Sequence, residues 1–270
     1  MNVGTDLPSN LVSQSPPPPA APSVAPSVAP LGGEPGTQAF FENFAAHRAF
    51  LTPHIQAFAA YPRWNNRRVL ELGCGIGADA VGFIRAGAEY TGVDISRAAL
   101  RQARQWFRLA GVDGGLVHAD AAELMQHARQ ASFDLIYCFD ALHRMENPEA
   151  VLRQARRAIR PDGEFRLMLP ASESWTDVMI EAGIETRIEA RLEPPGRLGA
   201  YSRAEARALL RANDFAAISI TQDHILPYAP EAYGRGVYEV HPWFAAMPVQ
   251  MFRALERRFG GHMLIVAQPS

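Results

Sequence analysis

The sequence predicts an α/β chain built on a parallel, doubly wound sheet, and three observations carry that expectation. Five short apolar strands recur between residues 68 and 169, the first four each run into a helical stretch, and the first ends in alternating glycines. Parallel neighbours need crossover helices, so strands and helices in alternation imply a sheet covered on both faces. The 270 residues allow one or two domains. With 48% apolar and 9% aromatic residues there is material for a sizeable core.

Residues 1–38 stand apart. They hold nine of the 21 prolines, including the run Pro16 to Pro19 and a doubled Ala-Pro-Ser-Val unit across Ala21 to Val28, and no aromatic residue precedes Phe40. Such a segment cannot offset its ordering entropy by burial, so it is expected to be a disordered Pro/Ala-rich tail. It reads as a solvated tether or as a proline ligand for an aromatic groove. It shows neither the positive start nor the continuous apolar stretch of a signal peptide.

Residues 39–270 are expected to form one domain. Phe40, Phe41, Phe44, His47 and Phe50 recur every three or four residues, the pattern of a helix packed on the body or closing over it as a lid. The strands are Arg68 to Leu72, Glu89 to Asp94, Gly115 to His118, Phe133 to Cys138 and Glu164 to Leu169. Ser96 is placed to cap a helix in which Leu100, Ala103, Phe107 and Ala110 recur. Asn147 and Pro148 form a cap and first-turn pair, with Gly163 closing that unit. Ser202 to Glu205 is a capping box opening a helix through Ala212, followed by strands at Ala216 to Thr221 and His262 to Ala267. Between those strands, residues 223–261 are rich in Pro, Tyr and Trp. They are either a substrate-side cap or a packed surface excursion.

Composition excludes some chemistry. All 26 basic residues are arginine, so a G-K-[ST] phosphate loop and a lysine Schiff base are absent. The 28 acids leave a net charge of −2, and Asp6 and Glu34 in the tail account for it, so the remainder sums to zero. A neutral body has no general pull on a polyanion, and neither nucleic acid nor an anionic membrane surface is expected as a partner. Cys74 and Cys138 lie 64 positions apart in apolar surroundings. That suits a reduced, cytoplasmic setting, and two cysteines hold no metal without several histidines in support, so no metal is expected. No run of 18 uninterrupted apolar residues marks a membrane span.

The stretch Val69-Leu70-Glu71-Leu72-Gly73-Cys74-Gly75-Ile76-Gly77-Ala78 carries the functional reading. A strand ends at Gly73 and a helix is expected from about Ala78; the glycines let the chain turn tightly and let a ligand approach the backbone amides. Asp94 ends the second strand, 17 residues past Gly77, where its carboxylate can accept the hydroxyls of a ribose. Asp120 follows the third strand, positioned for the far edge of a base. Either acid alone would suit a helix cap; together with the turn they outline an adenosine crevice at successive strand ends.

These residues, with Tyr90 to Ser96, Phe133 to Cys138 and Ala158 to Gly163, resemble the signature blocks of class I S-adenosylmethionine-dependent methyltransferases. The likeness covers residues 40 to 222, and within the class it points to the bacterial small-molecule enzymes of the ubiquinone/menaquinone type. It implies a Rossmann-like, seven-stranded sheet with one antiparallel strand near the C-terminal edge. It implies S-adenosyl-L-methionine as cofactor, with Gly73, Gly75 and Gly77 on the methionyl part, Asp94 on the ribose and Asp120 on the adenine amine. Glu71, Ile95, Ala121 and Phe139 complete the cofactor set. The implied acceptor is a small molecule, methylated on O, N or C, in secondary metabolism; a peptide acceptor stays open. Leu142-His143-Arg144 stands where such enzymes carry Leu-His-His, and Pro161-Asp162-Gly163 stands for Pro-Gly-Gly.

Methyl transfer from a sulfonium is an in-line displacement that needs a base only when the acceptor must lose a proton. His143 is the candidate base, and Asp140 the candidate to orient it or a substrate amine, both also being able to cap the loop. Arg144 could hold a substrate carboxylate or phosphate. Asp223 and His224 rank lower as titratable neighbours whose side chains are expected on opposite faces. Two other readings share the glycine turn. An NAD-dependent oxidoreductase would leave Asp120 unexplained, and a non-catalytic cofactor-binding relative is suggested by Arg144.

Overall fold

The computed structural model describes residues 34–183, 199–233 and 236–270, so the proline-rich tail lies almost wholly outside the described residues. Its centre is a seven-stranded sheet of β1 (Arg68–Leu72), β2 (Glu89–Asp94), β3 (Gly115–His118), β4 (Phe133–Cys138), β5 (Ile159–Pro170), β6 (Phe215–Asp223) and β7 (His262–Pro269). The order is β3-β2-β1-β4-β5-β7-β6. The first five pair in parallel, and β7 runs antiparallel to both β5 and β6, so one strand opposes the rest, next to the edge. The expected architecture is the one found.

The central strands are mostly apolar because they are buried on both faces, and Leu70, Leu72, Leu135 and Ile136 are fully buried. The order reverses between β1 and β4, which leaves a crevice at their carboxyl ends because the helices that follow them leave toward opposite faces. On one face pack α1 (Gln38–Leu51), α2 (His54–Ala59), α3 (Ala80–Arg85) and α4 (Arg97–Ala110). On the other pack α5 (Pro148–Ala158), the tight turns of Ala121–Gln126 and, after α6 (Trp175–Glu181), α7 (Arg203–Arg211).

The helix starts follow their caps. Ser96 accepts the Ala99 amide at 3.2 Å, Asn147 accepts that of Ala150 at 3.0 Å, and Ser202 and Glu205 close a reciprocal capping box. Two boundaries differ from expectation. The helix after the glycine turn begins at Ala80, because residues 75–79 continue the turn. Gly163 does not close a turn, since β5 already begins at Ile159 and pairs it with Phe133 before a register shift. A Cβ at Gly163 would sit 2.6 Å from the Ile159 side chain, so glycine there serves the irregularity in the strand.

Residues 223–261 contain helical turns at Pro230–Tyr233 and Pro242–Ala245 and a final helix, α8 (Val249–Phe259), beside β6. Tyr228 and Tyr238 pack on Phe50 of α1 at ring separations of 6.1 and 5.4 Å. No helix among the described residues is long and apolar enough to cross a membrane.

Candidate active site

The glycine turn closes onto the second strand. The Gly73 and Cys74 amides both donate to the Val93 carbonyl, at 2.8 and 3.2 Å. Gly73 has φ +73°, and a Cβ on it would fall 2.5 Å from the Ala141 Cβ, so the turn packs against the segment that follows β4. Gly75 differs: its φ is +55°, and nothing lies within 4 Å of where its Cβ would be. It borders open space. Gly77 packs under Phe107 instead.

The Gly75 amide donates to Asp94 Oδ2 at 2.8 Å, and the Ser96 amide donates to Oδ1 at 2.7 Å. Asp94 therefore spans the ends of β1 and β2, half-buried, with both oxygens keeping lone pairs for further donors. Ile95 beside it is 69% exposed, an apolar side chain on the rim. Asp94 pairs in register with His118 of β3. Two residues on, the exposed Asp120 caps its turn by accepting the Ala122 amide at 2.8 Å, over a buried Ala121.

Glu71 lies beneath the turn, buried, and accepts a 2.5 Å bond from the Tyr90 hydroxyl. Burial, reinforced by the nearby Asp79 carboxylate, holds its pKa well above the usual carboxylate range despite the Tyr90 bond and Arg48. Asp79 itself is a buried acid that the sequence reading missed. It accepts from Arg48 Nη2 at 2.7 Å, Tyr61 at 2.9 Å and Tyr137 at 3.1 Å, which pins α1 to the sheet. Partners 18 to 58 positions apart leave no local pattern to find. The guanidinium of Arg48 also lies 5.3 Å from the centre of the Phe139 ring. A cavity of about 390 Å³ between α1, α3 and α4 is lined by Arg48, Tyr61 and Asp79, but by none of Asp94, Asp120 and Phe139.

The segment after β4 brings Phe139, Asp140, His143 and Arg144 together. Phe139 is buried and stacks on Tyr137. Asp140 adopts a left-handed φ of +54° with its side chain 43% exposed. His143, the candidate base, is withdrawn from solvent. Its side chain is only 1% exposed, tucked behind the loop with Nε2 3.6 Å from Asp140 Oδ1, because the tight turn Leu142–Arg144 folds it inward. Arg144 is turned back onto Asp140, with Nη2 3.1 Å from Oδ2 and Nε donating to the Asp140 carbonyl at 3.2 Å. Asp223 and His224, ranked low from sequence, lie with His54 and His262, whose rings pack on Phe139.

A glycine turn tied to a second-strand acid, on this strand order, sets the crevice at the carboxyl ends of β1 and β2. Residues 69–163 match the family model described as a methyltransferase domain. Over that stretch, about a third of the chain, the sequence is similar to methyltransferases, among them ubiquinone biosynthesis O-methyltransferases. It is 34% identical over 97 residues to the ubiquinone biosynthesis O-methyltransferase of Alkalilimnicola ehrlichii, covering 36% of this chain and 39% of that one. It is 37% identical over 103 residues to the 27-O-demethylrifamycin SV methyltransferase of Amycolatopsis mediterranei, 37% of each chain. The match thus spans about two-fifths of the length of these curated relatives. In fold, the chain resembles magnesium protoporphyrin IX methyltransferase from Synechocystis PCC 6803 with bound SAH. The TM-score is 0.56 at 18% identity, covering 88% of this chain and 90% of that one.

Proposed function

We propose that this protein transfers a methyl group from S-adenosyl-L-methionine to a small-molecule acceptor, on oxygen, nitrogen or carbon. The observation that carries the reading is the Gly75–Asp94 bond beside open space at Gly75, since it sets a backbone amide and a fixed carboxylate side by side on a free surface. The donor set suits the cofactor: carboxylates and amides, with no lysine, complement a cationic nucleoside. Asp94 would take the ribose hydroxyls and Asp120 the adenine amine. Ile95 and Ala121 would cover the base, and Gly73 to Gly77 would lie along the methionyl part over Glu71.

The cofactor, when bound, supplies an electrophilic methyl carbon. The chain's own contribution is alignment and exclusion of water, and positioning of this kind is worth up to about 7 to 11 kcal/mol. Phe139 and Asp140 border the acceptor side, with the 223–261 segment and α1 as its cover. Asp140 is the exposed member of its pair, so it meets an acceptor proton first, with His143 behind it holding the carboxylate in place. For an acceptor that must lose a proton, such a pair adds about 10² to 10⁴-fold.

The test supplies methyl-labelled S-adenosylmethionine to an extract of cells lacking the gene and follows the label by mass spectrometry. One labelled small molecule is expected. Cofactor binding with no label transferred would make the protein a non-catalytic binder, and thermal protection by NADH but not by S-adenosylmethionine would replace the reading with an oxidoreductase.

A further inference from the structure

We propose that His54, His224 and His262 form a binding site for one divalent transition-metal ion of the zinc class, with Asp223 supporting it. The three residues come from α2, the residue after β6 and the first residue of β7, 208 positions apart at most. One ligand nitrogen from each lies within 4.8 Å of the others. Their rings are mutually 4.3 to 5.2 Å apart, centre to centre. His54 Nε2 and His262 Nδ1 are 2.9 Å apart. Tetrahedral coordination at about 2.0 to 2.1 Å separates ligand nitrogens by about 3.3 Å, so the pair must open by under about half an ångström.

The surroundings supply what such an ion needs. The His54 side chain is only 8% exposed, and His224 and His262 are half-buried, so the cluster is screened from bulk water. Asp223 Oδ1 stands 3.8 Å from His54 Nδ1, the nitrogen opposite the one facing His262; that is longer than a hydrogen bond but on the side from which a carboxylate orients a metal-bound imidazole. Asp223 also accepts the His224 amide at 2.7 Å. His224 is held at φ +75°, a conformation that costs energy for a residue with a side chain and turns it back toward the other two. Phe139 packs edge-on to His262 at 5.6 Å and gives the cluster an apolar wall. Three imidazoles and a carboxylate, without thiolate, suit Zn²⁺, Co²⁺ or Ni²⁺ and leave Mg²⁺ and Ca²⁺ aside.

The test uses tag-free, full-length protein stripped with a chelator, titrated with Co²⁺ and followed by visible absorption, with Zn²⁺ measured by competition. One equivalent is expected, with the intense band of a low-coordinate Co²⁺ site. His54→Ala and His224→Ala, on different elements, should each lower affinity at least about 100-fold, and Asp223→Asn about 10- to 100-fold, with circular dichroism unchanged. His241→Ala, outside the cluster, should leave binding as it is. Absence of saturable Co²⁺ binding by the wild-type protein would overturn the proposal. So would affinity indifferent to His54→Ala, His224→Ala and Asp223→Asn, or a thiolate-to-metal band assigning the ion to Cys74 or Cys138. No activity is read, so failure here leaves the methyl-transfer reading standing.

Discussion

At the residue scale, the glycines of one turn do different work, and substitution separates them. Gly73→Ala meets both a left-handed backbone and the Ala141 Cβ at 2.5 Å, so it should cost about 2 to 3 kcal/mol of stability in urea unfolding. Gly75→Ala meets only the backbone term, about 1 kcal/mol, but places a methyl in open space beside Asp94. It should weaken S-adenosylmethionine more than it weakens the fold. Equal stability losses would contradict the assignment. Glu71 makes a pH prediction. Its folded pKa is raised above the ordinary 4.5, so above that value the unfolded chain releases a proton that the folded protein keeps. Stability then falls as pH rises, by at most about 1.4 kcal/mol per unit from this group. Glu71→Gln removes the slope and should gain on the wild-type between about pH 5 and pH 8 in urea titrations. A constant difference across that range would show that Glu71 is ionised throughout.

At the element scale, three helix starts were legible because a cap is a local device: Ser96, Asn147 and Ser202 each bond within three residues. The strands were legible because apolar runs of four to six residues between turns have few other uses. What was not legible is docking. The phenylalanine stripe of α1 foretold a packed helix, and Phe41 does stack on Trp106 at 5.1 Å, but the pairing of Arg48 with Asp79 joins elements that no periodicity connects. That ion pair is testable. Arg48→Met leaves a buried carboxylate with only two tyrosine donors and should cost about 3 kcal/mol. Adding Asp79→Asn should recover part of the loss, as a double-mutant cycle reads directly. Additive losses would mean that the two residues act separately.

At the scale of the whole molecule, strand order brings together what the sequence keeps apart. The residues proposed to hold the cofactor could be picked out as a group because the glycine turn, Asp94 and Asp120 follow or end successive strands, β1, β2 and β3, of a parallel sheet. The β4 segment was half legible: Asp140 and His143 do meet, but which of them faces solvent depends on a tight turn whose direction three residues do not announce. The histidine cluster was invisible, since it depends on β7 returning antiparallel beside β6, which sets His262 opposite Asp223. A body of zero net charge places the burden of cofactor recognition on local acids. The measurement that tests this most directly is calorimetric titration of S-adenosylmethionine into the wild-type protein and into Asp94→Ala. Saturable binding weakened at least about tenfold by the substitution, about 1.4 kcal/mol, is the expected result. Equal affinity in both proteins, or no binding to the wild-type, would contradict the account.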